Sequence, residues 1–228
     1  MKETGLMFKA PLVRAILEGR KTQTRRLVKP APAADQLMLR GITTETGLVY
    51  ARSIEQINSQ NIRRIRWESP VGQPGDRIYV RETYFAWGHW ETRFSQEKGR
   101  DEWHFVDLTL QSGRSHEFYD PLLGKLRRRG QTGPGATWWK RPGILMPKGA
   151  ARIWLEITGV RVERLQSITV ADLAREGIQE YIDKGVDHDG TPRDTFRKLW
   201  ESTGGDWAAN PWVWVIDFKT ISTTGRPA

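Results

Sequence analysis

From Pro211 to Lys219 the chain alternates with a two-residue period, placing Trp212, Trp214, Ile216 and Phe218 on one face and Asp217 and Lys219 on the other. Successive side chains of a strand point to opposite faces, so this run predicts a strand with an aromatic and aliphatic core face. Two further segments carry strand signals. In Asp76 to Tyr84, introduced by the turn Gln73-Pro74-Gly75, the shared face is Ile78, Val80, Glu82 and Tyr84, which puts a carboxylate among apolar neighbours. In Ala151 to Leu165, Ile153, Leu155 and Ile157 hold one register and Val160 and Val162 the other, with Gly159 between them as a predicted bulge.

Short helices separate these strands. Pro11 suits a first helical turn, Leu12, Val13, Ile16 and Leu17 recur on one face, and Gly19 can end the helix in a left-handed conformation. Thr169 with Asp172 three residues on signals a second helix, with Ile168 placed to staple onto Leu173 and Gly177 as its stop. Thr191-Pro192 and Asp194 start a third, whose Phe196, Leu199 and Trp200 form a stripe ending before Gly204-Gly205. Strands and short helices without a regular βαβ rhythm predict a mixed α+β, barrel-like domain. The stretches 29–70 and 86–150 show weak periodicity and scattered Gly and Pro, and read as insertions on one domain spanning 1–228. They also hold the basic clusters Arg63-Arg64-Ile65-Arg66 and Lys125-Leu126-Arg127-Arg128-Arg129.

A formal charge of +9 favours polyanionic partners such as nucleic acid, although basic surfaces also serve solubility alone. The chain has no cysteine, which excludes disulfides, zinc-thiolate sites and a thiol nucleophile. The four histidines, His89, His104, His116 and His188, lack paired ligand spacing, and Asp187-His188-Asp189 lacks the periodic oxygens of a calcium loop, so no bound metal is expected. Neither a glycine-rich phosphate loop nor a dinucleotide fingerprint occurs, so no cofactor is expected either. The N-terminus lacks the apolar run of a signal peptide and no stretch reaches the length of a membrane span, so no membrane association and a cytoplasmic location are expected.

The densest concentration of reactive groups is Gly19-Arg20-Lys21-Thr22-Gln23-Thr24-Arg25-Arg26, read as an exposed basic segment just past the first helix. A threonine hydroxyl attacks only when a base takes its proton, and a lysine serves as that base only when neutral. Lys21 and Thr24 are candidates for such a couple. On a straight strand residues 21 and 24 face opposite ways, so cooperation requires a bend between helix and strand. Glu176, in the last turn of the second helix where the dipole disfavours a carboxylate, is a candidate partner with a solvated side chain as its ordinary alternative. Glu82 offers a second carboxylate or a structural partner for arginine, and Tyr84 either stacks on a base or packs. Trp138 and Trp139, adjacent on a strand, point in opposite directions, which leaves Trp139 as a base-contact candidate.

Gly19, Lys21 and Arg26 fit the G-x-K-x-x-E-x-R pattern of the ASCH family, and the chain resembles phage and bacterial members through Pro11 to Arg26, Gln73 to Tyr84, Ala151 to Gly177 and Pro211 to Phe218. The resemblance implies a PUA-like mixed β-barrel associated with RNA. Thr24 stands where most of the family has glutamate, and the run from Gly19 to Arg26 is similar to the G-R-K-T-x-T-x-R of the amidohydrolases that deacetylate N4-acetylcytidine. That likeness implies catalytic roles for Lys21, Thr24 and Glu176, with Arg20, Arg26, Glu82, Tyr84 and Trp139 as substrate contacts. It further implies a modified cytidine nucleoside or RNA as partner. A noncatalytic RNA-binding module and a single-stranded RNA ribonuclease are the alternatives it leaves open; protein partners, preferred acyl group and oligomeric state are not specified.

Overall fold

A computed structural model describes residues 1–29, 37–38, 48–53, 64–122, 135–178 and 191–227. The basic cluster at 125–129, His188 with its flanking aspartates, and Arg63 lie outside the described residues. The chain is mixed α+β and divides into two compact units, Met1–Val80 with Arg152–Ala228, and Arg81–Ala151.

The first unit is built on a five-stranded sheet in the order β1-β6-β10-β11-β2, formed by Glu3–Met7, Arg77–Arg81, Trp154–Arg164, Trp212–Ser222 and Gln23–Leu27. β10 pairs antiparallel with β11 and with β6, and β11 pairs antiparallel with β2. The predicted bulge is present: the β10–β11 register shifts between Ile157 and Gly159, which changes the parity of the apolar residues. Trp214, Ile216 and Phe218 lie in a core with Ile78, Val80, Ile153, Leu155, Ile157 and Val160. Val213 and Val215, on the opposite parity, pack with Leu165, Ile168, Leu173, Ile178 and Phe196. β11 is therefore covered on both faces, which explains its nearly unbroken apolar run.

Helix α1 (Ala10–Leu17) lays Val13, Ala15 and Ile16 inward and is followed by Gly19 at φ +72. Helices α2 (Val170–Arg175) and α3 (Pro192–Glu201) both begin with complete capping boxes, Thr169 with Asp172 and Thr191 with Asp194. Among the described residues no strand pairing joins the edges β1 and β2, so the sheet does not close as a barrel. A side chain spans those edges instead: Arg26 Nη2 on β2 donates to the Met7 carbonyl of β1 over 3.1 Å. Within 29–70, Leu37–Met38, Leu48–Ser53 and Arg64–Glu68 form a separate antiparallel sheet, β3-β4-β5.

The second unit contains the long hairpin of β7 (Tyr84–Ser95) and β8 (Arg100–Asp107), extended by β9 (Thr137–Arg141) in the order β8-β7-β9. Its strands escape period-two reading because β7 carries large side chains on both parities, Phe85 and Trp87 on one and Trp90 and Phe94 on the other. The expected single strand through Tyr84 is two strands. β6 stops at Arg81 and β7 starts at Tyr84, yet the expected parity of burial holds across the break, with Ile78, Val80, Glu82 and Tyr84 all buried.

Candidate functional site

The run from Gly19 to Arg26 is not an exposed segment. Lys21, Thr24 and Glu176 retain 1%, 2% and 4% of their accessible surface, and Gln23 and Arg25 are buried with them. The reason lies in the chain path. After Gly19, the Arg20 and Lys21 amides both return to the Ala15 carbonyl, which folds the backbone over the last turn of α1 and turns Lys21 inward. The Thr22 amide then donates to the Arg175 carbonyl at the end of α2, and the Thr22 carbonyl accepts from the Phe218 amide of β11. Two short helices and an edge strand are thereby tied at one point.

That tie brings Lys21 to Glu176. Lys21 Nζ donates to Glu176 Oε2 at 2.6 Å, to the Glu176 carbonyl at 2.9 Å and to the Gln23 carbonyl at 2.7 Å. Gly177 makes the approach possible. Its φ is +78, and a Cβ there would sit 2.9 Å from Ala15 Cβ and 3.1 Å from Lys21 Cβ. Burial pushes the Lys21 amine below its ordinary range; the Glu176 carboxylate opposes this, and Arg26 and Arg25 add to it.

Thr24 stands on the other face of β2. Its hydroxyl accepts from Arg26 Nη1 at 2.9 Å, and no hydrogen bond joins it to Lys21, whose three donors are already engaged. The direct couple expected from the sequence is thus replaced by an arrangement around Phe8. The Lys21 ammonium lies 5.9 Å and the Arg26 guanidinium carbon 5.2 Å from the Phe8 ring centroid. Burial also holds Arg26 below the usual arginine range, against the pull of Glu176. With Nη1 on Thr24 and Nη2 on Met7, Arg26 acts on the hydroxyl and the strand edge rather than standing free for a ligand.

Two residues of the same run that the sequence reading did not choose as site residues complete the cluster. Arg25 Nη1 bonds Glu176 Oε1 at 3.1 Å and Gln23 Oε1 at 2.7 Å, while Nη2 faces Asp172 Oδ2 at 3.2 Å and Glu163 Oε2 at 3.4 Å. Gln23 Nε2 reaches Asp217 Oδ1 at 2.7 Å. Both follow from alternation, since Gln23 and Arg25 share the face opposite Thr24 and Arg26. The available signal was β11 itself: a strand apolar on both parities requires cover on both faces, and its neighbour β2 shares that cover.

The remaining candidates make other contacts. Arg20 pairs with Glu18, its Nε 2.9 Å from Glu18 Oε2. Glu82, Tyr84 and Trp139 belong to the second unit. There Glu82 is buried, Tyr84 donates its hydroxyl to the Leu145 carbonyl at 3.1 Å, and Trp139 is buried with its indole N–H on the Gly88 carbonyl at 3.0 Å. The polar groups of Tyr84 and Trp139 thus bond backbone carbonyls within that unit. Among the described residues no group of three or more His, Asp or Glu is arranged to hold a metal ion, and no helix is long and apolar enough to cross a membrane.

Comparison with protein-family models, curated proteins and solved structures finds no match to this chain. The chemistry is therefore read from the cluster alone. It offers a hydroxyl under a guanidinium, a buried amine with lowered basicity, and a carboxylate held by two cations.

Proposed function

We propose that the chain is an amidohydrolase that removes an acyl group from the exocyclic amine of an N4-acylated cytosine nucleoside, of the N4-acetylcytidine type. The observation that carries this reading is the 2.6 Å contact between Lys21 Nζ and Glu176 Oε2, buried beside a threonine whose hydroxyl oxygen faces a guanidinium. Amide hydrolysis needs an activated oxygen, a group that moves a proton between attack and departure, and a charge to stabilise the oxyanion. Thr24 supplies the oxygen, and Arg26 makes its alkoxide easier to form by bonding the oxygen directly. Lys21, shifted toward its neutral amine by burial and without a direct contact to Thr24, would take through an intervening water the proton released as Thr24 Oγ1 bonds the acyl carbon. When the carbon–nitrogen bond breaks, that proton passes to the departing cytosine amine. Water then hydrolyses the acyl-threonine and restores the hydroxyl. Glu176 holds the Lys21 amine and shares its proton.

A PUA-like fold of the ASCH type, its sheet open between β1 and β2, is the fold we assign to this chemistry. The strand order β1-β6-β10-β11-β2 and the Arg26 bridge across its two edges support that assignment. A cytoplasmic location fits the lack of a membrane-crossing helix among the described residues.

The burial of Lys21, Thr24 and Glu176 favours one other reading, a noncatalytic RNA-binding module in which the ion pair clasps β2 to α2. Thr24→Ala separates the two. Loss of N4-acetylcytidine turnover with RNA affinity intact supports hydrolysis, whereas equal behaviour of wild type and variant in both assays supports the clasp.

A further inference from the structure

We propose that Arg25 is the positioning residue of this site: its guanidinium, clamped by Gln23, Asp172 and Glu163, fixes Glu176 so that one carboxylate oxygen is reserved for the Lys21 amine. The inference rests on the amidohydrolase reading for its catalytic consequence, and on geometry alone for its structural one.

Glu176 follows the last turn of α2, beside Gly177 at φ +78, where neither the helix nor a strand ladder would fix its side chain. Its two oxygens are divided between two cations, Oε1 to Arg25 at 3.1 Å and Oε2 to Lys21 at 2.6 Å. Without the first contact the carboxylate is free to rotate about its terminal torsion, which is broad for Glu. Arg25 is itself held from three elements. Gln23 on its own strand takes Nη1, Asp172 of α2 and Glu163 of β10 face Nη2, and Gln23 is oriented in turn by Asp217 of β11. Arg161 of β10 closes the outer side, reaching Glu163, Asp172 and Asp217 at 2.6, 3.2 and 2.6 Å. A planar guanidinium meets these directions together; an ammonium does not. The network leads from a closed pair to a solvent-facing rim, since Glu163 and Asp217 keep 26% and 30% of their side-chain surface exposed.

Against the lowering by burial, Glu176 raises the Lys21 amine, while Arg26 and, beyond the carboxylate, Arg25 lower it by a smaller amount. Removing Arg25 frees Glu176 from Lys21 and loses more than the direct Arg25 charge restores, so Lys21 becomes less basic and activity that needs its neutral amine moves to lower pH. The variants are Arg25→Lys, which keeps the charge, and Arg25→Gln, which removes it. In N4-acetylcytidine hydrolysis, Arg25→Gln is expected to lower kcat about tenfold or more with little change in KM, and to shift the ascending limb of the pH–rate profile downward. Arg25→Lys is expected to restore the position of the limb but only part of kcat.

NMR titration of the Lys21 side chain in each variant gives a readout that needs no turnover. A downward shift in Arg25→Gln that Arg25→Lys reverses supports the inference, whereas an upward shift reports loss of charge alone and overturns it. A Lys21 titration unmoved by Arg25→Gln, or variants whose folded fraction retains wild-type kcat and pH profile while only Tm falls, overturns it. If the wild type shows no turnover, the amidohydrolase reading fails and the titration alone decides the role of Arg25.

Discussion

At the scale of single residues, the account turns on three side chains whose roles differ in what their loss should cost. Thr24→Ala removes the attacking oxygen and leaves Arg26 Nη1 without that acceptor, so turnover should fall by roughly 10²–10⁴-fold while stability drops by about 1 kcal/mol. Thr24→Ser, which keeps an oxygen at the same position, should retain measurable activity; initial rates and denaturant midpoints check both. Lys21 predicts a pH dependence. Its amine loses its proton more readily in the folded than in the unfolded chain, where the ordinary value is 10.5. As pH rises from the folded value toward 10.5, the unfolded chain binds more protons and stability increases. Over the same range turnover should rise as the neutral amine accumulates, and Lys21→Met should abolish both trends. A sequence alone exposes such residues only in part. Lys21 and Thr24 stood out by type and spacing, whereas Arg25 was not chosen as a site residue, because its burial follows from the cover of the neighbouring β11 and not from anything local to β2.

At the scale of elements, α2 is the device that carries Glu176 to Lys21, and its two ends can be tested separately. Gly177→Ala forces a residue with a Cβ into φ +78 and against Ala15 and Lys21. It should cost roughly 1–2 kcal/mol from conformation alone and more from the displaced contacts, and should lower turnover with stability. Asp172, at the other end, joins the capping box to the arginine network. Burial raises its carboxyl, but the Thr169 hydrogen bonds and the Arg25 charge more than offset this and hold it below the ordinary Asp value. Its contribution is therefore present above the unfolded pKa and lost as pH falls through the lower folded one. Asp172→Ala should destabilise the chain by about 3 kcal/mol at neutral pH, and the difference from wild type should shrink in acid, as read by thermal melts across pH. These caps were legible because Thr-x-x-Asp and a following glycine act within one turn. The strands β7, β8 and β9 were not, because large side chains occupy both parities of β7 and the hairpin is held by cross-strand aromatic pairs such as Trp90 with Phe105.

At the scale of the whole molecule, the two units carry different parts of the sequence reading. The first holds the polar cluster between its five-stranded sheet and α2, and β6, β10, β11 and the caps of α2 and α3 were visible as period-two and capping patterns, whereas β1 and β3 to β5 were not. The second, Arg81–Ala151, spans the stretch whose periodicity was weakest. The charge of +9 belongs to the molecule as a whole and predicts RNA affinity that falls steeply with salt and survives Thr24→Ala, measurable by fluorescence anisotropy at two ionic strengths. Such binding would not distinguish a hydrolase from a binding module. The decisive measurement is conversion of N4-acetylcytidine to cytidine by the purified chain in the presence of a chelator, followed by chromatography. The account predicts turnover in the wild type that Lys21→Ala, Thr24→Ala and Glu176→Gln each reduce by orders of magnitude in folded protein. Background rates in the wild type, or wild-type rates in a folded Thr24→Ala variant, would contradict it.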